Sequence, residues 1–407
     1  MKILLVNRFL YRKGGSEAVF FNMASLLESA GHEVVLFGYE DEANIGFPAP
    51  VYTYRPASGL AGKIAGVRNY FNNRSAASRL DDVLEKERPD IVHLHLFIGS
   101  FTPAIIDVCH ARGIPVVHTV HDYRMVCPAY TFRDGKGRVC EKCKGGRFTQ
   151  CFRNRCSKGS LAASFLMTCE MYYRNRKWHP AKSLDGVIYV SNFSKQKHES
   201  MDPAFASLAN TVLYNFSGLQ LRHPSDNRGY YLYFGRLSSE KGPRTLLEAF
   251  RDDTRHRLVV VGSGPLENEL RATYPQSNIE FKGFMTGEAL YDCVRGARFV
   301  CVPSECYENN PMSVVESYSL GIPVIGSRLG GIPEIVEDGK TGFLFGSADV
   351  QSLKDAIARS AAVDDSGYEA MCMNAKAFAD RNFNPDNYVK ELLPFYKSVI
   401  ASWMDRS

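Results

Sequence analysis

Short apolar strands recur along this chain in two separate series, and nothing else in the sequence limits the fold so strongly. In the first half the stretches are KILLVN (2–7), EVVLFGY (33–39), DIVHLHL (90–96), PVVHTVH (115–121) and GVIYVS (186–191), separated by segments of helix length. The series restarts with YLYFGRL (231–237), RLVVVGSG (257–264), IEFKGF (279–284), RFVCVPS (298–304) and PVIGS (323–327). Continuous Val/Ile runs mark strands buried on both faces, and their alternation with helices predicts parallel sheets. A chain of 407 residues is too long for one ordinary core.

The sequence therefore predicts an α/β protein with two Rossmann-like domains facing each other across a cleft. The expected boundaries are 1–213, with a Cys-rich basic insertion at 127–182, a polar linker at 214–229, a second domain at 230–383, and a C-terminal helix at 384–407 packing back on the first domain. In such sheets ligands lie off the carboxyl ends of strands, so strand-to-helix loops carry the chemistry. MKILLVN lacks the apolar core and cleavage site of a signal peptide, and no stretch reaches membrane-span length. The expected compartment is the cytoplasm, where the eleven cysteines stay mostly reduced.

The loops hold a consistent set of polar groups. Gly14 and Gly15 open a helix after the first strand, either as a plain tight turn or as a place where backbone amides approach an anion. Gly264 sits in a similar turn after RLVVV. Arg236 and Lys241 follow YLYFG, and two fixed cations there would hold a diphosphate without a divalent metal, although solvated surface charge is the plainer reading. The stretch PSECYENNPMSVVESYSLG places Glu308 in a loop and Glu316 one turn into a helix starting near Met312. Two carboxylates so placed reach two parts of one extended polar ligand, and the amides from Asn309 through Asn310, Pro311 and Met312 add donors. They read as ligand holders rather than an acid/base dyad.

In order along the chain, GRLSSEKG, VVVGSGP, GFMTGEAL, PSECYENNPMSVVESYSLGIPVIGS and GGIPEIVEDGKTGFLF resemble the nucleotide-sugar domain of retaining glycosyltransferases of family four, which have the GT-B fold. GGSE, PVVHTVHDY and VLYN extend the resemblance over nearly the whole chain. It implies Arg236 and Lys241 on the donor diphosphate, Glu308 on the donor sugar, Glu316 on the ribose, His121 beside the sugar and Gly14–Gly15 near the phosphates. From the residues alone His121 reads better as a satisfied core residue, and His93 and His95, on one strand face, read as structural. The implied reaction is sugar transfer with retention from a UDP- or GDP-sugar to a glycan or polyprenyl-diphosphate-linked acceptor, in capsule, O-antigen or exopolysaccharide synthesis. No catalytic metal is expected, since the leaving phosphate takes the acceptor's proton on the same face.

The insertion stands apart. It carries C-x12-C-x2-C-x7-C-x4-C, and Cys140, Cys143, Cys151 and Cys156 are the expected ligands of a structural zinc, with Cys127 as substitute; free thiols or an iron–sulfur cluster are the alternatives. Residues 133–182 hold thirteen Lys/Arg against three acids, a net of +10, so the rest of the chain carries +5 − 10 = −5. A basic, aromatic segment suits an anionic membrane surface on the inner face of the plasma membrane, or a lipid diphosphate; a solvated basic surface is the plain alternative. Two rivals follow: a basic zinc module binding single-stranded nucleic acid, which leaves Arg236, Lys241, Glu308 and Glu316 without a purpose, and a nucleotide-sugar epimerase or hydrolase on the same fold.

Overall fold

The Val/Ile-rich stretches form strands, and the computed structural model, which describes residues 1–57, 66–219 and 229–406, gathers them into two parallel sheets. The first comprises β1 (Lys2–Val6), β2 (Glu33–Tyr39), β3 (Val51–Tyr54), β4 (Ile91–Leu94), β5 (Val116–Val120), β6 (Gly186–Tyr189) and β7 (Asn210–Val212), in the order β3-β2-β1-β4-β5-β6-β7. The second comprises β8 (Tyr230–Phe234), β9 (Leu258–Val261), β10 (Ile279–Gly283), β11 (Ala297–Val302), β12 (Val324–Ser327) and β13 (Gly342–Phe345), in the order β10-β9-β8-β11-β12-β13. Each sheet thus winds outward from its first strand, returns, and winds the other way. The reversal falls between β1 and β4 in one and between β8 and β11 in the other, which is where doubly wound folds bind ligands.

Alternation along each strand divides the second sheet's core. Leu232, Val259, Val300 and Val324 pack on one face, while Tyr231, Tyr233, Val260, Phe299 and Ile325 pack on the other. Helices cover both faces, so these side chains are fully or almost fully buried, each worth about 1.5–3 kcal/mol of transfer free energy.

The two compact units are Met1–Leu213 with Tyr388–Ser407, and Tyr214–Asn387. The C-terminal helix Pro385–Met404 supplies the first unit with Tyr396, whose hydroxyl lies 2.5 Å from Nδ1 of His93. Gly186 admits it: a Cβ there would come within 3.0 Å of both Phe395 and Val399. Residues 220–228 of the expected linker lie outside the described residues. The insertion is built of short pieces, the turn Lys144–Gly146 and the helix Thr149–Arg153, followed by the long helix Leu161–Lys177.

Candidate functional site

At the second sheet's reversal, the loops leaving β8 and β11 meet. Gly242 makes the meeting close: its φ is +67°, and a Cβ would fall 1.9 Å from the carbonyl oxygen of Pro303. The peptide of Glu305 donates to the carbonyl of Glu240 at 2.9 Å, and Thr245 Oγ1 donates to Glu305 Oε1 at 2.7 Å. This lacing sets Lys241 Nζ 2.7 Å from Glu308 Oε1. Ser304 Oγ donates to the same oxygen at 2.7 Å. Behind the loop, Gly330 packs so tightly that a Cβ would lie 2.6 Å from backbone atoms of Glu308, whose carbonyl accepts from the amide of Gly331 at 2.7 Å.

Partial burial opposes the charge on Lys241, yet the neighbouring Glu308 carboxylate outweighs it and holds the ammonium above the usual lysine range. Glu308 is 11% exposed at its side chain, so an uncompensated charge there would be costly. Arg236, five residues before Lys241, is exposed, and its guanidinium has no ion pair among the described residues. A charged fork on the same loop as a fixed ammonium, without an ion pair among the described residues, is chemically suited to receive an anion.

Glu316 is half-buried on the helix Met312–Ser319, which begins after Pro311. Asn310 has a structural task that the sequence did not signal: its Oδ1 accepts from the amide of Asn215 at 2.9 Å, and its carbonyl accepts from Asn215 Nδ2 at 2.8 Å. Asn309 is buried beside it. Gly264 is set against the neighbouring loop, since a Cβ would lie 2.4 Å from the carbonyl oxygen of Leu237.

In the first unit the helix Gly15–Ser29 starts after Gly14, and both glycines are exposed. Its first turn hides Glu17, 3% exposed, whose carboxyl burial pushes above the usual range; Ser16 Oγ donates to it at 3.1 Å. Beyond the reversal point, the ends of β4 and β5 bring imidazoles together. His95 Nδ1 lies 2.8 Å from His121 Nε2 with the rings stacked 5.1 Å apart, and the His93 ring lies tilted against His95 at 4.5 Å. His93 is held on both nitrogens, by Tyr396 and by Thr119. Burial pushes His93 and His95 well below the usual histidine range and His121 down to about 3, so all three rings are neutral. Nε2 of His95 is buried without a hydrogen-bond partner. A buried orphan N–H is the rarer defect, which puts the proton of His95 on Nδ1, donated to His121. The H-x-H spacing of β4 is the signal for this contact, because alternate residues share a face.

The structure brings the cysteines of the insertion close to one another. Among the described residues no group of three or more His, Cys, Asp or Glu side chains is arranged to hold an ion. Cys127 faces the backbone amides of Ala129, Tyr130 and Phe132, Cys151 and Cys156 pair with each other, and burial together with the neighbouring Cys127, Cys156 and Cys140 pushes the Cys143 thiol up. All five are free thiols. Among the described residues no helix is long and apolar enough to cross a membrane.

Comparison with known proteins agrees along the chain. Residues 13–204 match the sequence model described as Glycosyltransferase Family 4, and residues 221–377 match that of Glycosyl transferases group 1. The sulfoquinovosyl transferase SQD2 of Arabidopsis thaliana is 29% identical over 38% of this chain and 29% of its own length. The UDP-Gal:alpha-D-GlcNAc-diphosphoundecaprenol alpha-1,3-galactosyltransferase of Escherichia coli is 24% identical over 79% of this chain and 78% of its own. The match covers less than half the length of several other curated relatives. Among solved structures, HepE of Anabaena in complex with UDP-glucose superposes with a TM-score of 0.67, at 18% identity, over 98% of this chain and all of that one; this likeness speaks to the fold.

Proposed function

Since the chain belongs to the family-four glycosyltransferases of the GT-B fold, we propose that it moves a sugar, with retention of anomeric configuration, from a nucleoside-diphosphate sugar to a glycan or polyprenyl-diphosphate-linked acceptor. The observation that carries the reading is the Lys241–Glu308 pair at the reversal of the second sheet, 2.7 Å apart, with Arg236 on the same loop and without an ion pair among the described residues. UDP is the favoured nucleotide, because the Escherichia coli relative is named for UDP-Gal and the Anabaena structure contains UDP-glucose. The same relative's diphosphoundecaprenol acceptor supports a lipid-linked acceptor and a role in surface-polysaccharide synthesis.

In this reading Arg236 and Lys241 bind the diphosphate and neutralise the charge that grows on it as the bond to the sugar breaks. Glu308, kept in place by Ser304 and Lys241, accepts from sugar hydroxyls, and Glu316 accepts from the ribose. His121 is neutral and acts toward the sugar as a hydrogen-bonding group, not as a cation. The departing phosphate oxygen removes the acceptor hydroxyl's proton on the face it leaves, so no protein nucleophile is required. The two fixed cations supply the charge that a divalent metal supplies elsewhere.

Thermal unfolding with UDP, GDP, ADP and their sugar conjugates tests this. A ligand at a hundred times its Kd adds about 2.7 kcal/mol of stability. Stabilisation by one nucleotide, abolished in Arg236→Ala, is the expected result. No response to any of them would sink the placement of the donor in the second unit.

A further inference from the structure

The long helix of the insertion has one face buried in the protein and one face largely exposed. Ser160 caps its start by accepting from the amide of Ala163. Ser164, Thr168, Met171 and Arg174 form the inner face, fixed by Thr168 to the carbonyl of Phe148 and by Arg174 to the carbonyl of Arg124. The opposite arc, roughly 140° wide at 3.6 residues per turn, carries Leu161, Phe165, Leu166, Tyr172 and Tyr173, exposed by 46, 56, 37, 42 and 37%. With Tyr130 and Val139 this makes seven large apolar side chains exposed within residues 130–173, against six in all the other described residues. Exposed apolar side chains concentrated in this way mark an interaction surface.

The charge around the arc says what covers it. The three acids of residues 133–182 are all spent inside the protein: Asp134 on Arg138, Glu141 on Lys197 and Glu170 on Arg174, at 2.9, 2.6 and 2.8 Å. The rim that remains is basic, with Lys144, Arg147, Arg153, Lys158, Arg176 and Lys177 all exposed. A second copy of the same face would be repelled by that charge. Single-stranded nucleic acid needs flat rings free for stacking. Here Phe152 and Phe165 meet edge to face at 5.6 Å, as do Phe148 and Tyr172 at 5.2 Å, and Leu161 and Leu166 offer no ring. Aliphatic and aromatic side chains on one arc with Lys/Arg at its rim fit the boundary between lipid headgroups and acyl chains.

We propose that the helix Leu161–Lys177 and its basic rim dock the first unit peripherally on an anionic lipid bilayer, with Leu161, Phe165, Leu166 and Tyr172 entering the interface. The docking stands independently of the transferase reading. If that reading also holds, the helix brings the enzyme to the surface where a lipid-linked acceptor resides.

The test is co-sedimentation of the full chain with phosphatidylcholine vesicles, with and without phosphatidylglycerol. Two variants accompany it, Phe165→Ser/Leu166→Ser and Lys144→Glu/Arg147→Glu, each checked for folding by circular dichroism. The wild type is expected on anionic vesicles only, with its partition reduced roughly tenfold or more in either variant and by added salt. Equal binding to neutral vesicles, or no binding to either, overturns the proposal. So does unchanged vesicle binding in the Ser variant, or salt-sensitive capture of a single-stranded oligonucleotide that Phe165→Ser/Leu166→Ser leaves intact, which would assign the face to nucleic acid. Because nucleotide-induced stabilisation is read separately, failure here leaves the donor reading untouched.

Discussion

The two sheets are wound alike, yet what their strand ends set at the point of reversal in one and next to it in the other is chemically opposite. At the end of β8 and β11 the chain places charge, Lys241 against Glu308 with Arg236 alongside. At the end of β4 and β5 it places neutral imidazoles, His95 against His121 with His93 behind. The same topology therefore yields an ionic site in one unit and an uncharged hydrogen-bonding site in the other. A diphosphate demands the first kind of environment and a sugar's hydroxyls the second. The difference teaches that the fold fixes where a site lies, while the residues just past the strand ends fix what it recognises.

Acid should break the comparison most strongly. His93, His95, His118 and His198, all in the first unit, are buried and held below the usual histidine range, His118 and His198 down to about 4. Their folded pKa values lie below the unfolded value, so their contribution is complete above about pH 6.5 and is lost as pH falls toward 4. Each costs up to about 1.4 kcal/mol per pH unit in that window, so the four together cost up to about 5.5 kcal/mol per unit. We predict that hydrogen exchange at pH 4.5 opens the first unit's sheet while the second unit's sheet stays protected. Equal loss in both would mean that the imidazoles are not neutral in the folded state.

Removing the charge at the other reversal comes next. Lys241→Ala deletes a cation proposed to hold the leaving diphosphate and leaves Glu308 largely buried without its counter-charge. The expected loss is about 10²–10³-fold in kcat, equivalent to about 2.7–4 kcal/mol of transition-state stabilisation. Steady-state kinetics with the nucleotide sugar identified by thermal unfolding would measure it. A variant with unchanged kcat would remove Lys241 from the chemistry.

His95→Phe keeps the ring stack but takes away the hydrogen bond to Nε2 of His121. The predicted cost is about 1–3 kcal/mol in urea unfolding, for a buried acceptor left unmade. In the wild type, ¹⁵N shifts should show His121 protonated on Nδ1, and the variant should lose that single-tautomer signature. A His121 protonated on Nε2 in the wild type would reverse the assigned direction of the bond.

The central strands were legible because parallel strands covered on both faces must be continuously apolar, as LLV, VVLF and LVVV are. What escaped were edge strands: β3 (VYTY), β7 (NTV) and β13 (GFLF) each pair on one side only and carry short or mixed runs that periodicity does not resolve. In the site, Arg236, Lys241, Glu308 and Glu316 were visible as polar residues past strand ends. The lacing that brings Lys241 to Glu308 was not, because it depends on Gly242 touching Pro303 and on Thr245 reaching Glu305 across sixty residues of sequence. Cysteine spacing records separation along the chain, whereas a tetrahedral site needs four sulfurs converging at one point, and spacing alone does not carry that geometry.

The subtlest test sharpens the ionic half of the comparison. Arg236→Lys keeps the charge and removes the planar fork, so it separates attraction for a dianion from recognition of its shape. Because the guanidinium is exposed and no acid among the described residues restrains it, the substitution should leave folding stability within about 0.5 kcal/mol. Two parallel N–H···O bonds become one mobile ammonium contact, and nucleotide affinity should fall about tenfold, or about 1.4 kcal/mol. Calorimetric titration with UDP measures that directly. An affinity equal to wild type would show that Arg236 contributes only to the field around Lys241, and the diphosphate would then be held by Lys241 and by backbone amides at the start of the Met312–Ser319 helix.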